Sequence, residues 1–139
     1  MVGPEDEVFK NSILHQIPNV YFLGSRDQKD LPRYINSFDV CINPQLINEV
    51  TIGNYPRKID EYLATGKPVV ATVTDAASIF SDCIYLAENK EKFAGLIKKA
   101  IVENSDERKA YRKFVAGSHS WENSVSELYK AINYVMLNK

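Results

Sequence analysis

Cysteine is nearly missing from this chain of 139 residues, which has two, Cys41 and Cys83. Two cysteines cannot build a disulfide scaffold, and their spacing is not that of metal ligands. Both sit in apolar, strand-like runs and read as reduced core residues. An excess of one charge is missing as well. Seventeen Lys and Arg stand against eighteen Asp and Glu, a formal net charge of -1. No global cationic field exists to drive binding to nucleic acid. No apolar run approaches the roughly 18 residues that a membrane span needs. The first residues, Met1-Val2-Gly3-Pro4-Glu5-Asp6-Glu7, lack the basic and apolar regions of a signal peptide. Asn-x-Ser/Thr, repeats and low-complexity tracts are also missing. The expectation is a soluble, cytoplasmic domain.

What is present is a globular balance: 45% hydrophobic, 25% charged and 11% aromatic residues. That composition excludes disorder, collagen and a pure coiled coil. A chain of this length can bury roughly two thirds of its unfolded surface, enough for a core without staples.

The patterning alternates. Glu5 to Gln16 has helical spacing of Val8, Phe9, Ile13 and Leu14, and Pro18 stops it. Asn19 to Gly24 is a β-prone run ending in glycine. A short helix over Asp30 to Phe38 follows, with Asp30 as its candidate N-cap and Pro32 in its first turn. Asp39 to Pro44 reads as a strand, Gln45 to Tyr55 as a loop, and Pro56 to Thr65 as a helix closed by Gly66. Lys67 to Val73 is apolar almost throughout, as a buried parallel strand is. A turn or short helix over Asp75 to Phe80 and a strand at Ile84 to Ala87 come next. Helices over Lys90 to Val102, Ser105 to Val115 and Ser120 to about Leu137 end the chain. The fold class expected is therefore α/β: a Rossmann-like parallel sheet with helices on both faces and a helical C-terminal tail. Ligands of such sheets bind beyond the carboxyl ends of the strands. That directs attention to Gly3-Pro4, Gly24 to Arg26, Asn43 to Pro56 and Thr72 to Ala77.

The richest of these segments leads into the helix at Pro56. A loop containing Gly53 feeds a helix N-terminus, whose free N–H groups and positive dipole end form a ready anion site. Lys58 adds a cation in the first turn, where the dipole disfavours one by a few tenths of a kcal/mol. A ligand phosphate would account for it. Glu61 lies three residues on, on the same face, placed to accept bonds from sugar hydroxyls. The alternative is a solvated Lys58–Glu61 pair worth about 0.3 kcal/mol. Spacing alone leaves both open.

The segment Pro56-x-Lys58-x-x-Glu61-Tyr62-Leu63-Ala64-x-Gly66-Lys67-Pro68-Val69-Val70 resembles the signature of group 1 glycosyltransferases of GT-B fold. The flanks resemble it too: Asn19 to Gly24, then Leu31-Pro32-x-Tyr34-Ile35, then Asp39-Val40-x-Ile42-x-Pro44. The likeness runs from about Val2 to Ile101. It implies the nucleotide-sugar donor domain of a sugar transferase. The glutamate matching Glu61 would bind the donor ribose. Thr51, Ile52, Gly53 and Asn54 would face its phosphates and sugar, Gly24 and Ser25 would lie near the nucleoside, and Asn43 would border the cleft.

The chain departs from the family pattern in one place. Many members carry a second acid eight residues before the glutamate, where this chain has Gly53. The resemblance further implies that residues 1–139 form one Rossmann-like domain, part of a C-terminal lobe. Its first strand and helix would be missing, as would an N-terminal acceptor-binding domain. No catalytic residue and no metal ligand is expected in this chain, and it should be inactive on its own. No Asp-x-Asp occurs, so metal-independent transfer is expected, with no cofactor besides the nucleotide-sugar substrate. The parent protein would be a peripheral partner of the inner membrane face at most.

Two other functions stay open: a binding-only module for a nucleotide or partner, and an epimerase-type nucleotide-sugar enzyme. The latter would need a cleft histidine, and neither His15 nor His119 maps there. Gly66-Lys67 is not a P-loop, because Glu61 and Pro68 occupy its glycine and Ser/Thr positions. Trp121, the one tryptophan, reads as an anchor pinning the last helix to the core. Arg108, Lys109, Arg112 and Lys113 read as a solvated helix face, with contact to an anionic membrane surface as the second reading.

Overall fold

The computed structural model describes residues 1–138. The chain divides into two compact units, Met1–Tyr34 and Ile35–Lys139.

In the first unit, α1 (Glu7–Lys10) is followed by a 3-10 turn at Ile13–Gln16. The single helix expected over Glu5 to Gln16 is thus broken in two. Local side chains explain the break. Asn11 Nδ2 donates to the Glu7 carbonyl (2.8 Å), and the Ser12 hydroxyl accepts from Leu14 N–H (3.2 Å), starting a new turn. The run Asn19 to Gly24 forms no assigned strand, which corrects the sequence reading. It is nonetheless extended alongside the first residues. Leu23 N–H donates to Met1 O (2.9 Å) and Gly3 N–H to Gly24 O (3.0 Å). The Met1 amine also donates to Tyr21 O. Three such bonds make too short a ladder for a strand. Phe22 packs on His15, with rings stacked 3.8 Å apart. Asp30 is not a cap: Asp27 is, accepting from Lys29 N–H (3.1 Å) at a 3-10 turn over Gln28–Asp30, from which α2 (Leu31–Ser37) continues.

The second unit holds a parallel three-stranded sheet in the order β1 (Cys41–Asn43), β2 (Val69–Thr72), β3 (Tyr85–Ala87). Cys41 pairs with Val69, and Val70 with Tyr85. In the central strand Val69, Val70 and Ala71 are each 0% exposed. Neighbouring side chains point to opposite faces, so both faces of β2 are covered. Val69 and Ala71 join Ile59 and Leu63 of α3 (Arg57–Ala64), with Ile35, Cys41 and Phe80, in the main core cluster. α5 (Lys90–Val102) packs on β2 and β3.

The helices start on local caps. Thr74 caps α4 (Asp75–Ser78), Asn89 caps α5, Ser105 caps α6 (Asp106–Ser118) and Ser120 caps α7 (Trp121–Leu137). The α3–β2 turn is a Schellman motif: Lys67 N–H donates to Tyr62 O (3.1 Å) and Gly66 N–H to Leu63 O (2.8 Å). Gly66 has φ +78°, a conformation that glycine adopts freely.

α6 packs chiefly on α3 and overturns the reading of its basic face. Arg112 is 2% exposed; its Nε donates to Gly66 O (2.9 Å) and its Nη2 to Asn104 Oδ1. Lys109 and Lys113, one turn apart from each other on α6, lay their stems over Gly66 and keep their ammonium groups toward water. The cluster is therefore a packed face with charged tips. Trp121 also differs from expectation: it is 80% exposed, and α7 has no buried residue. Among the described residues no helix is long and apolar enough to cross a membrane.

Candidate functional site

The carboxyl ends of β1 and β2 are linked side by side. Asn43 ends β1, half-buried and paired with Ala71. Two residues on, Gln45 N–H donates to the Thr72 hydroxyl (2.9 Å) at the end of β2. The loop from Gln45 to Tyr55 leaves from this point. Asn48 organises it as an Asx turn, its Oδ1 accepting from Val50 and Thr51 N–H (both 3.0 Å). The Thr51 hydroxyl is spent inside the loop: it donates to Leu46 O and accepts from Asn48 N–H (3.0 Å). Ile52, Gly53 and Asn54 are exposed at the loop's far side.

Pro56 then initiates α3 without a side-chain cap. Arg57 N–H donates back to Tyr55 O (3.0 Å), while Lys58 N–H has no partner among the described residues. The helix therefore keeps a free donor at its positive end. Lys58 and Glu61 are both exposed, and no hydrogen bond or ion pair holds either side chain among the described residues. The solvated Lys58–Glu61 pair does not form. A cation and a carboxylate stand exposed on one short helix that follows the loop from β1, available to an anion and to hydroxyl groups respectively.

Asp60 behaves differently from its neighbour. Its two oxygens are both occupied: Oδ2 accepts from the Tyr55 hydroxyl (2.7 Å) and Oδ1 lies 2.8 Å from His119 Nδ1. A carboxylate only accepts, so this bond requires the proton on Nδ1. Burial and the Asp60 charge both push the Tyr55 phenol above its ordinary range. Phe80, 1% exposed, packs beneath both partners, 5.2 Å edge-on to His119 and 6.0 Å from Tyr55. The sequence gives no local signal for this cluster, since Asp60 and His119 are 59 residues apart. His119, which the sequence does not map to the cleft, is bonded to Asp60 of α3.

The remaining candidates lie in the first unit. Gly24 has φ +68° and follows the extended run, and Ser25 is exposed, its carbonyl accepting from Arg26 Nη1 (3.2 Å). A hollow of about 460 Å³ joins two of the flagged strand ends, at Pro44 and Thr72, to residues the sequence did not flag, Ala87, Asn89 and Phe93 among them. Its walls are mostly apolar, and Asn89 there is used in capping α5 through Lys92 N–H (2.9 Å). Among the described residues no group of three His, Cys, Asp or Glu could hold a metal ion.

Comparison with known proteins adds a second line of evidence. The family described as "Glycosyl transferases group 1" matches residues 1–103. A curated relative, the "Putative teichuronic acid biosynthesis glycosyltransferase TuaH" of Bacillus subtilis (strain 168), is 32% identical over 130 residues. That match covers 86% of this chain and 32% of the relative, so the chain spans about a third of the relative's length.

Proposed function

The chain belongs to the group 1 glycosyl transferases, and on that premise we propose that it is the part of such an enzyme that binds the nucleotide-diphosphate sugar donor. One observation carries this reading: among the described residues Lys58 and Glu61 stand exposed and unpaired on α3, Lys58 in its first turn beside a free backbone donor. Lys58 and the free Lys58 N–H would meet the diphosphate, and Glu61 would accept from the ribose hydroxyls. Asn54, Gly53 and Ile52 would face the phosphates and sugar, with Thr51 shaping their loop. Asn43 would border the cleft.

In the transfer, the bond from the anomeric carbon to the diphosphate oxygen breaks and the electron pair leaves with the nucleoside diphosphate. An acceptor hydroxyl forms the new bond and gives up its proton. Positive charge at the diphosphate stabilises the leaving group, and orientation of the donor supplies much of the rest. Lys58 and the helix end provide that charge without a metal. The acceptor would be a glycan or a lipid-linked molecule, and the groups that bind and deprotonate it would lie outside this chain. The protein would work at the cytoplasmic side of a membrane.

Titration calorimetry of the chain with UDP, GDP and ADP tests the reading. One of the three should bind, and Glu61→Ala should weaken it about ten- to hundredfold, the worth of a charge-assisted hydrogen bond. In an enzyme containing this chain, near-wild-type turnover of Glu61→Ala at saturating donor would refute the assignment. Sugar transfer by the 139 residues alone would refute the division of labour.

A further inference from the structure

We propose that Asp60 is a positioning residue: it clamps Tyr55, and with it the exposed stretch Ile52–Asn54, to α3 and to the α6–α7 corner. The inference rests on the donor-binding reading and deepens it. The loop has two anchors. Upstream, Gln45 N–H holds the Thr72 hydroxyl (2.9 Å) and the Gln45 side-chain amide donates to Thr51 O. Downstream, the Tyr55 hydroxyl holds Asp60 (2.7 Å). Between them, among the described residues, Ile52 and Asn54 have only bonds internal to the loop, to Asn48 O (3.0 Å) and Thr51 O (3.1 Å). The downstream anchor is itself braced. His119, on the corner after α6, takes the second Asp60 oxygen (2.8 Å), and buried Phe80 supports both rings from below.

Consecutive residues on a helix point about 100° apart. Asp60 and Glu61 therefore address different neighbours: one carboxylate is saturated by protein donors and the other is left open. A loop fixed in advance spares the donor the cost of ordering it. The Tyr55 ring is half exposed, so removal of its hydroxyl should disturb the loop and leave the core intact.

The test uses the chain with Tyr55→Phe and, separately, Asp60→Ala. Amide hydrogen exchange is read at Ile52–Asn54 and at β2. Affinity for UDP, GDP and ADP is measured beside it. Exchange in the loop should rise about fivefold in Tyr55→Phe while β2 stays unchanged, and the affinity for the nucleotide bound should fall by a similar factor, about 1 kcal/mol. Nitrogen NMR of the imidazoles is simple with two histidines in the chain. It should show His119 protonated at Nδ1, and that signature should be lost in Asp60→Ala. Loop exchange that does not change in either variant, or that changes in step with β2, overturns the clamp. Raised loop exchange with unchanged nucleotide affinity overturns its role in donor binding. Failure of the unsubstituted chain to bind any of the three nucleotides overturns the donor reading itself, while the exchange data still decide the clamp.

Discussion

Replacing Gly66 by alanine should cost about 2–3 kcal/mol of folding stability, and the structure allows the sum to be worked. The residue sits at φ +78°, where an L side chain costs about 1–2 kcal/mol. A Cβ there would come within 2.5 Å of Lys109 Cγ, 3.1 Å of Lys113 Cε and 3.2 Å of the Lys109 carbonyl oxygen. The lysine stems can swing away, but the carbonyl belongs to α6 and can move only with the helix. Overpacking of this kind costs about 1–3 kcal/mol. Against this, alanine narrows the unfolded ensemble and returns about 0.4–1 kcal/mol. At this chain length each kcal/mol moves the thermal midpoint by roughly 3–4 °C, so a drop of roughly 6–12 °C is expected in a calorimetric scan. Gly95 supplies the control. It lies inside α5 with nothing within 4 Å of a built Cβ, and its replacement by alanine should stabilise by about 0.5–1 kcal/mol. The two substitutions have the same chemistry and opposite expected signs. A loss below about 0.5 kcal/mol for Gly66→Ala would refute the argument from φ and close approach.

Two further predictions concern the same core. Arg112→Ala should cost about 3 kcal/mol in urea unfolding, because it strands the Gly66 carbonyl and opens a cavity. Arg112→Met should cost clearly less: both variants remove a cation whose basicity burial lowers and both strand the Gly66 carbonyl, but methionine refills most of the cavity; equal losses would contradict this account. Burial pushes the Cys41 and Cys83 thiols from 9.0 up to about 11. Between these values the unfolded chain has released protons that the folded chain keeps, so stability should fall as pH rises from about 9 toward 11. A urea midpoint at about pH 10 equal to or above that at about pH 8 would contradict the burial of the two thiols.

Much of the architecture was readable because its signals are local. Asn89, Ser105 and Ser120 lie within three residues of the N–H groups they cap, and α5 spans the residues that periodicity assigns. The apolar run Val69 to Thr72 declares a strand covered on both faces. Glu61 and Lys58 were legible as candidates because a motif fixes their spacing. Arg112 and Asp60 were not. An arginine in a basic helical cluster reads as solvated, and its burial is explained by the carbonyl of Gly66, 46 residues away in sequence, together with Asn104. Trp121 misled for the converse reason. Indole area predicts burial on average, yet burial needs a surface to receive it, and α7 buries none of its residues. The run at Asn19 to Gly24 has strand composition but shares only three bonds with Met1 and Gly3.

The match to the group 1 glycosyl transferase family ends at residue 103, three residues before α6 begins, while the match to the curated relative covers 86% of the chain. Folding draws its line elsewhere. Val115 and Ala116 pack against the main core, and Arg112 holds the turn that separates α3 from the central strand. The stretch that marks the family is therefore shorter than the stretch that must be inherited together. A recombination event joining this lobe to a foreign tail at that border would preserve every signature residue and still leave the Gly66 carbonyl without its guanidinium. Viable crossovers should fall beyond Ser118, so α6 travels with the motif even though it carries none of it.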